Sequence, residues 1–542
     1  MKVSAAIAEI LKREGVDIIF GYPRNAVLEA AAEAGIRPII VRQERTGLHM
    51  ADAMSRLTRG QRMGVFAMQH GPGVENAYGG VAQAFSESVP VLVLPQGYAR
   101  RLAHVPDNYN ASRSMRDITK HAEPIVDAKE TANVLRRAFT QLRNGRLRPV
   151  LVEMPWDVLG EEIGEAIDYA PVVRTRSAPD PDAVRRAAEW LVAAERPVIY
   201  AGQGVHWAGA YDELRTLAEL LAAPVGTSLP GKSCFDESHP LALGAGGAAV
   251  PGQLRHFLDR ADLILGIGCS FSETAFGVRM PTGKRIVHAT LDPADLNKSM
   301  ACELALVGDA KLILAALAEA CRALIGAPRD PGPVARELAG VEAGWMKAWL
   351  PLLTSDETPL NPFRVLWDLQ RTVEIANTII THDAGSPRDQ LSPYWKTIAP
   401  LTYIGWGKST QLGYGLGLAL GAKLACPEKL CINVWGDAAI GFTGMDFETA
   451  VRERIPILSI LLNNSAMAIE LDQMPVATER YRSTDISGDY AAFARALGGH
   501  GERVAAPGEI VPALRRAIAA TQAGRPALVE FITSRETRAS RL

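Results

Sequence analysis

The chain has 542 residues, 48% of them hydrophobic and 22% charged, which is enough apolar material for several buried cores. Its formal net charge of −2 gives nucleic acid or an acidic membrane surface no electrostatic handle. Six cysteines, none in a C-x-x-C pair, exclude a disulfide framework and a zinc site of that kind, and suit reduced thiols in a cytoplasmic protein.

The first fifteen residues carry Glu9, Lys12 and Arg13 among apolar positions. They predict an amphipathic helix, not a signal peptide. No apolar run reaches the length of a membrane span. From there, short β-branched runs alternate with helical stretches: 38–41, 91–94, 149–153, 197–201, 263–267, 285–289, 378–382, 430–435, 457–462 and 527–532. Continuous apolar strands separated by helices predict parallel sheets covered on both faces, an α/β chain. Proline, glycine and charge crowd 160–181 and 325–336, and a polar helix and the 354–362 stretch follow the second. Cutting there predicts three doubly wound parallel-sheet units, 1–165, 180–328 and 355–536, with no sequence repeat among them.

Several strand ends carry polar or glycine-rich turns. Gly21-Tyr22-Pro23-Arg24-Asn25 follows the first of them, and an arginine there suits a substrate carboxylate, an acyl-CoA phosphate or a surface acid equally. Glu44 lies between a strand and a helix, flanked by Arg42 and Arg45; by itself it reads as a solvated charge. His70 precedes Gly71-Pro72-Gly73-Val74-Glu75-Asn76, and a histidine beside glycines is as readily structural as reactive. Gly202-x-Gly204 after a strand is weakly dinucleotide-like, but the Leu243–Ala248 loop supports no nucleotide pattern, and His288 and Cys269 read as core. Gly413, Gly415, Gly417 and Gly421 recur at helical spacing and predict close helix packing.

The most informative segment is Cys431–Glu470. One apolar strand ends at Gly436-Asp437-Ala438, a helix with Phe442, Met445, Phe447 and Val451 among its apolar positions follows, and a second strand ends at Asn463-Asn464. Ligands of parallel sheets bind at such strand ends. Gly436 and the small Ala438 and Ala439 let backbone N–H groups approach phosphate oxygens. Asp437, Asn464 and a carbonyl just beyond, that of Ala466, offer the hard oxygens Mg²⁺ prefers. Each motif alone reads as a helix cap or a turn.

Together, "GDA" and "NN" twenty-six residues on resemble the signature of the thiamine diphosphate-dependent enzymes, in the acetolactate synthase and pyruvate decarboxylase branch. The resemblance extends over the first unit, through Glu44, the Gly71–Asn76 turn and Pro155–Val158. It implies thiamine diphosphate and Mg²⁺ as cofactors. Asp437, Asn464 and Ala466 would hold the metal. Gly73, Asn76, Gly385, Ser386, Leu412, Gly436, Ala438, Ala439 and Asn464 would touch the coenzyme, and Arg388 lies in the same loop. Glu44 would activate its pyrimidine ring, and Leu412 would prop it in a bent form. Glu470, His70, Asn25 and Asn110 are the catalytic candidates facing the reacting carbon; the adjacent histidines of the decarboxylases and the "FQE" of the acetolactate synthases are both missing. The middle unit lacks the "GMHG" of FAD-containing acetolactate synthases, so a structural role is read there in preference to FAD. The implied activity makes or breaks a carbon–carbon bond beside a carbonyl, as a 2-oxo acid decarboxylase or carboligase. A 2-hydroxyacyl-CoA lyase of the same family and an inactive scaffold are the alternatives. The implied partners are a 2-oxo acid, aldehyde or acyl-CoA and further copies of the chain in a homodimer or homotetramer with sites between subunits, and neither nucleic acid nor membrane.

Overall fold

The computed structural model describes residues 1–164 and 166–541. Among these residues the chain builds three six-stranded sheets, every strand pair parallel, with helices between most successive strands. The first contains β1 (Ile18–Gly21), β2 (Arg37–Ile40), β3 (Gly64–Met68), β4 (Val91–Gly97), β5 (His121–Pro124) and β6 (Val150–Pro155), in the order β2-β1-β3-β4-β6-β5. The second contains β7 (Pro197–Ala201), β8 (Val225–Ser228), β9 (Ala242–Gly246), β10 (Leu263–Ile267), β11 (Arg285–Thr290) and β12 (Leu304–Val307), ordered β12-β11-β10-β7-β8-β9. The third contains β13 (Thr378–His382), β14 (Tyr403–Ile404), β15 (Leu430–Gly436), β16 (Leu458–Asn463), β17 (His500–Val504) and β18 (Ala527–Ile532), ordered β14-β13-β15-β16-β18-β17.

The first and third sheets therefore share one strand order, a duplication that the sequence does not display. Burial explains the strand composition. β3, β4, β7, β10, β13 and β16 are buried along nearly their whole length, so neither face needs polar alternation. No helix among the described residues is long and apolar enough to cross a membrane.

The first and third domains meet through helix Glu44–Leu57 and helix Tyr414–Ala425. Their approach is close because glycines leave room. A Cβ on Gly417 would stand 2.4 Å from His49 Cβ, and one on Gly421 would stand 2.3 Å from the Met50 carbonyl oxygen. The seam also buries a polar cluster: Arg56 pairs with Asp52 at 2.5 Å and donates to the Gly405 carbonyl, and the Tyr414 hydroxyl bonds Asp52. Such a cluster fixes the register of two helices because any slip strands a buried charge.

One predicted helix is broken. After β15 the chain forms helix Asp437–Thr443, a 3₁₀ turn at Gly444–Asp446 and helix Phe447–Arg452. Phe447 is fully buried, but Phe442 and Met445, also among the apolar positions of the expected helix, are 47% and 48% exposed. Phe442 belongs to the first of these helices and Met445 to the 3₁₀ turn.

Candidate active site

Two half-sites form at opposite ends of helix Asp437–Thr443. The first surrounds Glu44, the opening residue of its helix and only 3% exposed. It lines a cavity of about 840 Å³ with Tyr22, Gln69 and Asn76 from the first domain and the 440–446 and 488–490 segments from the third. Burial pushes the Glu44 carboxyl up from the usual carboxylate value, against hydrogen bonds from its own N–H and the Asn76 amide, and the nearby Asp446 carboxylate adds to the rise. Asp446 is itself buried; one of its oxygens accepts the Arg42 N–H at 2.7 Å and the Thr449 hydroxyl at 2.9 Å, and the other has no partner among the described residues.

The second half-site gathers the C-terminal ends of β13, β15 and β16. Asp383 ends β13 and is fully buried; it accepts the N–H groups of Ala384 (2.8 Å), Gly413 (2.9 Å) and Gly415 (3.0 Å). The Thr443 hydroxyl donates to the Gly413 carbonyl at 2.8 Å. These bonds tie Gly385, Ser386, Leu412 and the Gly436–Ala439 turn into one cradle. Gly385 has φ +84° and ψ −152°, a conformation a side chain would strain. Gly436 is free of such strain, and a Cβ there would meet only the Leu462 carbonyl and Pro387 Cγ, each at 3.9 Å. The packing of the protein does not require a glycine at 436, so the space over it is available to a ligand.

Asp437 supplies the sharpest local signal. Its Oδ1 accepts the Ala438 N–H at 3.0 Å, while its buried Oδ2 has no partner among the described residues. An unsatisfied buried oxygen costs about 1–3 kcal/mol, a cost that a bound cation removes. Burial pushes the carboxyl upward, against backbone N–H groups from Ser465, Ala438 and Ala466. Asn464 accepts the Ala466 N–H at 3.0 Å through Oδ1, which keeps a second lone pair, and the Ala466 carbonyl has no donor among the described residues. Asn463 turns the other way, its amide donating to Glu530 at 2.7 Å. The donors present, a carboxylate oxygen, an amide oxygen and a carbonyl, fit a hard divalent cation shared with a diphosphate.

Within one chain the Glu44 cavity does not include Asp437 or Asn464.

The other sequence candidates fall in different places. Gly73 opens the helix after β3 and packs against Met68 and Gln69. His70 rests against the Tyr98 ring at 4.6 Å with its Nδ1 buried and unpartnered among the described residues; burial and the Arg24 charge push it below the usual histidine value. Asn110 begins a short turn with its side chain uncommitted to capping. Glu470 stands exposed at the end of a 3₁₀ turn, beside Ile469, which overhangs Gly385. Asn25 corrects the expectation of a catalytic amide: it donates to the Met68 carbonyl (2.8 Å) and the Leu94 carbonyl (2.9 Å) and accepts the Val27 N–H (3.0 Å), so it brackets the ends of β3 and β4. Arg388 is 2% exposed, bonded to Asp389 at 2.8 Å and stacked 4.7 Å from the Phe276 ring, so it faces the middle domain.

The middle domain holds a separate cavity of about 1000 Å³ at the C-terminal ends of β7, β10 and β11. The Gly202-x-Gly204 turn lies there, but its glycines answer to packing. A Cβ on Gly202 would stand 2.4 Å from the Gly268 carbonyl oxygen, and one on Gly204 would stand 2.6 Å from Gly268 Cα. His288 is buried and bonds the Cys269 carbonyl at 2.9 Å.

Comparison with known proteins meets this geometry domain by domain. Residues 1–130 match the N-terminal TPP binding domain of thiamine pyrophosphate enzymes, 184–317 the central domain and 383–531 the C-terminal TPP binding domain. The chain belongs to the thiamine pyrophosphate enzyme family. A probable acetolactate synthase large subunit of Methanocaldococcus jannaschii is 30% identical, the alignment covering 98% of this chain and 92% of that one. The acetolactate synthase isozyme 3 large subunit of Escherichia coli is 27% identical over 95% of this chain and 92% of its own length. The acetolactate synthase large subunit of Corynebacterium glutamicum is 29% identical over 99% and 88%. This thiamine diphosphate enzyme thus carries its Glu44 half-site in the N-terminal coenzyme domain and its Asp437 half-site in the C-terminal one.

Leu412 precedes the Gly413 N–H held by Asp383 and is partly buried against the core shared by the first and third domains. Leu412→Ala should slow turnover about a hundredfold by loosening the coenzyme's placement, while costing only about 2 kcal/mol of stability, the low end for a leucine truncation. Steady-state rates set beside thermal melts read both effects; parental turnover would remove Leu412 from the site.

Proposed function

We propose that the protein is a Mg²⁺- and thiamine diphosphate-dependent decarboxylase or carboligase of 2-oxo acids, acetolactate synthase-like. The substrate class rests on similarity along nearly the whole chain to relatives named acetolactate synthase large subunits. The metal rests on the buried, unpartnered Asp437 Oδ2 beside Asn464 and the Ala466 carbonyl.

When bound, the coenzyme supplies a nucleophilic carbon that adds to a carbonyl and stabilises the charge left when a neighbouring bond breaks. The remaining work falls to the chain. Asp437, Asn464 and Ala466 hold the metal. Gly385, Ser386 and the Gly436–Ala439 turn present N–H groups to the diphosphate. Glu44, braced by Asn76, keeps the proton that the pyrimidine ring requires, and Leu412 sets the bend. His70 and Glu470 move protons at the substrate, and Asn110 lines the substrate's side. Arg24 makes no hydrogen bond or ion pair among the described residues, which leaves its guanidinium available to a substrate carboxylate.

Because Glu44 and Asp437 do not share a cavity within one chain, the working site is completed by a second copy. The exposed Phe442 and Met445 beside the Glu44 cavity, and Met467, Ile469 and Met474 beyond Asn464, provide apolar surface for it. A homodimer or homotetramer in the cytoplasm is the assembly proposed. The middle domain is assigned a structural role, and a flavin spectrum in the purified protein would overturn that assignment.

Calorimetric titration of stripped protein with thiamine diphosphate and Mg²⁺, together and separately, tests the cofactor reading; tight binding should need both. A panel of 2-oxo acids and 2-hydroxyacyl-CoAs, followed for CO₂ and aldehyde, tests the substrate. CO₂ release from 2-oxo acids is expected. Activity on the thioesters alone would favour the lyase, and absence of coenzyme binding would favour a scaffold.

A further inference from the structure

The segment from Gly405 to Gly413, which ends at Leu412-Gly413, forms neither helix nor strand. Its conformation is imposed from outside, chiefly by one face of helix Pro72–Glu87. Residues 79, 83 and 87 stand one turn apart on that face. Glu87 is fully buried, and its Oε1 accepts the N–H groups of Gly407 (3.0 Å) and Lys408 (2.7 Å). Gln83, also fully buried, donates Nε2 to the Ser409 carbonyl (2.9 Å) and accepts the Gln411 N–H through Oε1 (3.2 Å). Gly79 completes the face by being bare, because a Cβ there would lie 2.1 Å from Gln411 Nε2. From the neighbouring helix, His49 Nε2 bonds Gln411 Oε1 at 2.9 Å. The backbone on the approach to Leu412 is therefore gripped by first-domain side chains, and the backbone just after it by Asp383 of the third domain.

We propose that Gln83 and Glu87 are positioning residues for the reaction: they set where Leu412 stands without touching coenzyme or substrate. The inference rests on the reading above that Leu412 supports the coenzyme. Sequence reading passed over both residues, since each is a single polar group in an amphipathic helix, with a partner segment more than three hundred residues away. Glu87 Oε2 has no partner among the described residues, so an amide can replace the carboxylate while Oε1 goes on accepting.

The test is a variant series. Glu87→Ala and Gln83→Ala should raise deuterium uptake by the backbone amides of 405–413 in coenzyme-free protein. In loaded protein they should slow exchange of the coenzyme C2 proton, read by NMR, by about tenfold to a hundredfold. They should lower kcat with KM within about twofold, since substrate binding groups are untouched. Glu87→Gln should restore loop protection and exchange together. Combined with Leu412→Ala, either alanine variant should add less than its separate effect, because both act at one place. Gln83→Ala strands no charge and carries the test where Glu87→Ala does not fold. Parental loop protection and parental C2 exchange in Gln83→Ala, or full multiplication of its effect with that of Leu412→Ala, would overturn the proposal. If instead Leu412→Ala itself exchanges at the parental rate, the failure lies in the Leu412 reading on which the proposal rests.

Discussion

Glu44→Gln protein should bind thiamine diphosphate with near-parental affinity and turn over about a hundredfold to ten-thousandfold more slowly, the range for loss of a positioned acid–base group. The substitution is nearly isosteric, so the pocket built by Tyr22, Gln69 and Asn76 keeps its shape and the Asn76 amide keeps an oxygen to bond. What disappears is the titratable proton. Burial raises Glu44 from the ordinary glutamate value, so the carboxyl stays protonated to higher pH than a solvated glutamate and gives up its proton as pH climbs through that raised value. The limb of the kcat–pH profile belonging to Glu44 should therefore lie higher than that of a solvated glutamate and be missing in the variant. Exchange of the C2 proton in the bound coenzyme, followed by NMR, reports the same loss without substrate. Parental exchange would take Glu44 out of the mechanism.

Asp437→Ala should abolish the contribution of Mg²⁺ to coenzyme binding. Loss of a residue that merely supports a metal ligand already costs about 10–100-fold in metal affinity, so a direct ligand should cost more. The stripped protein behaves differently. Asp437 Oδ2 is buried without a partner among the described residues, so its removal should leave the melting temperature of stripped protein unchanged or higher. Parental protein should gain about 2.7 kcal/mol at a ligand concentration a hundred times Kd, and the variant almost none at the same concentration. Melts with and without coenzyme, Mg²⁺ and chelator separate these cases. Equal stabilisation of both proteins by Mg²⁺ and coenzyme would place the metal elsewhere.

Asp437 is marked in the sequence by its place at a strand end, whereas Glu44 reads alone as a solvated charge and is marked only by the family resemblance. Gly436-Asp437-Ala438 and Asn463-Asn464 close apolar strands, and in parallel sheets neighbouring strand ends are neighbours in space, so period and spacing alone bring them together. Asn25 failed the same kind of reading. Its loop position suggested chemistry, but three hydrogen bonds to β3, β4 and its own helix use up its amide, and nothing in a one-dimensional string reveals such partners. The break at Gly444–Asp446 was hidden for a related reason: the apolar period of 442–451 reads as one helix, while the chain forms two with a 3₁₀ turn between them.

The amino-acid sequence by itself determined the α/β class and the close helix packing of the glycines at 417 and 421, because each follows from short-range period and residue size. Only the tertiary structure decided that the first and third sheets repeat one strand order, that the Glu44 cavity lies against residues 440–446 and excludes Asp437, and that Gln83 and Glu87 grip the Leu412 loop. Those relations depend on how separately folded sheets dock, and docking is settled by helix faces and buried hydrogen bonds between residues hundreds of positions apart.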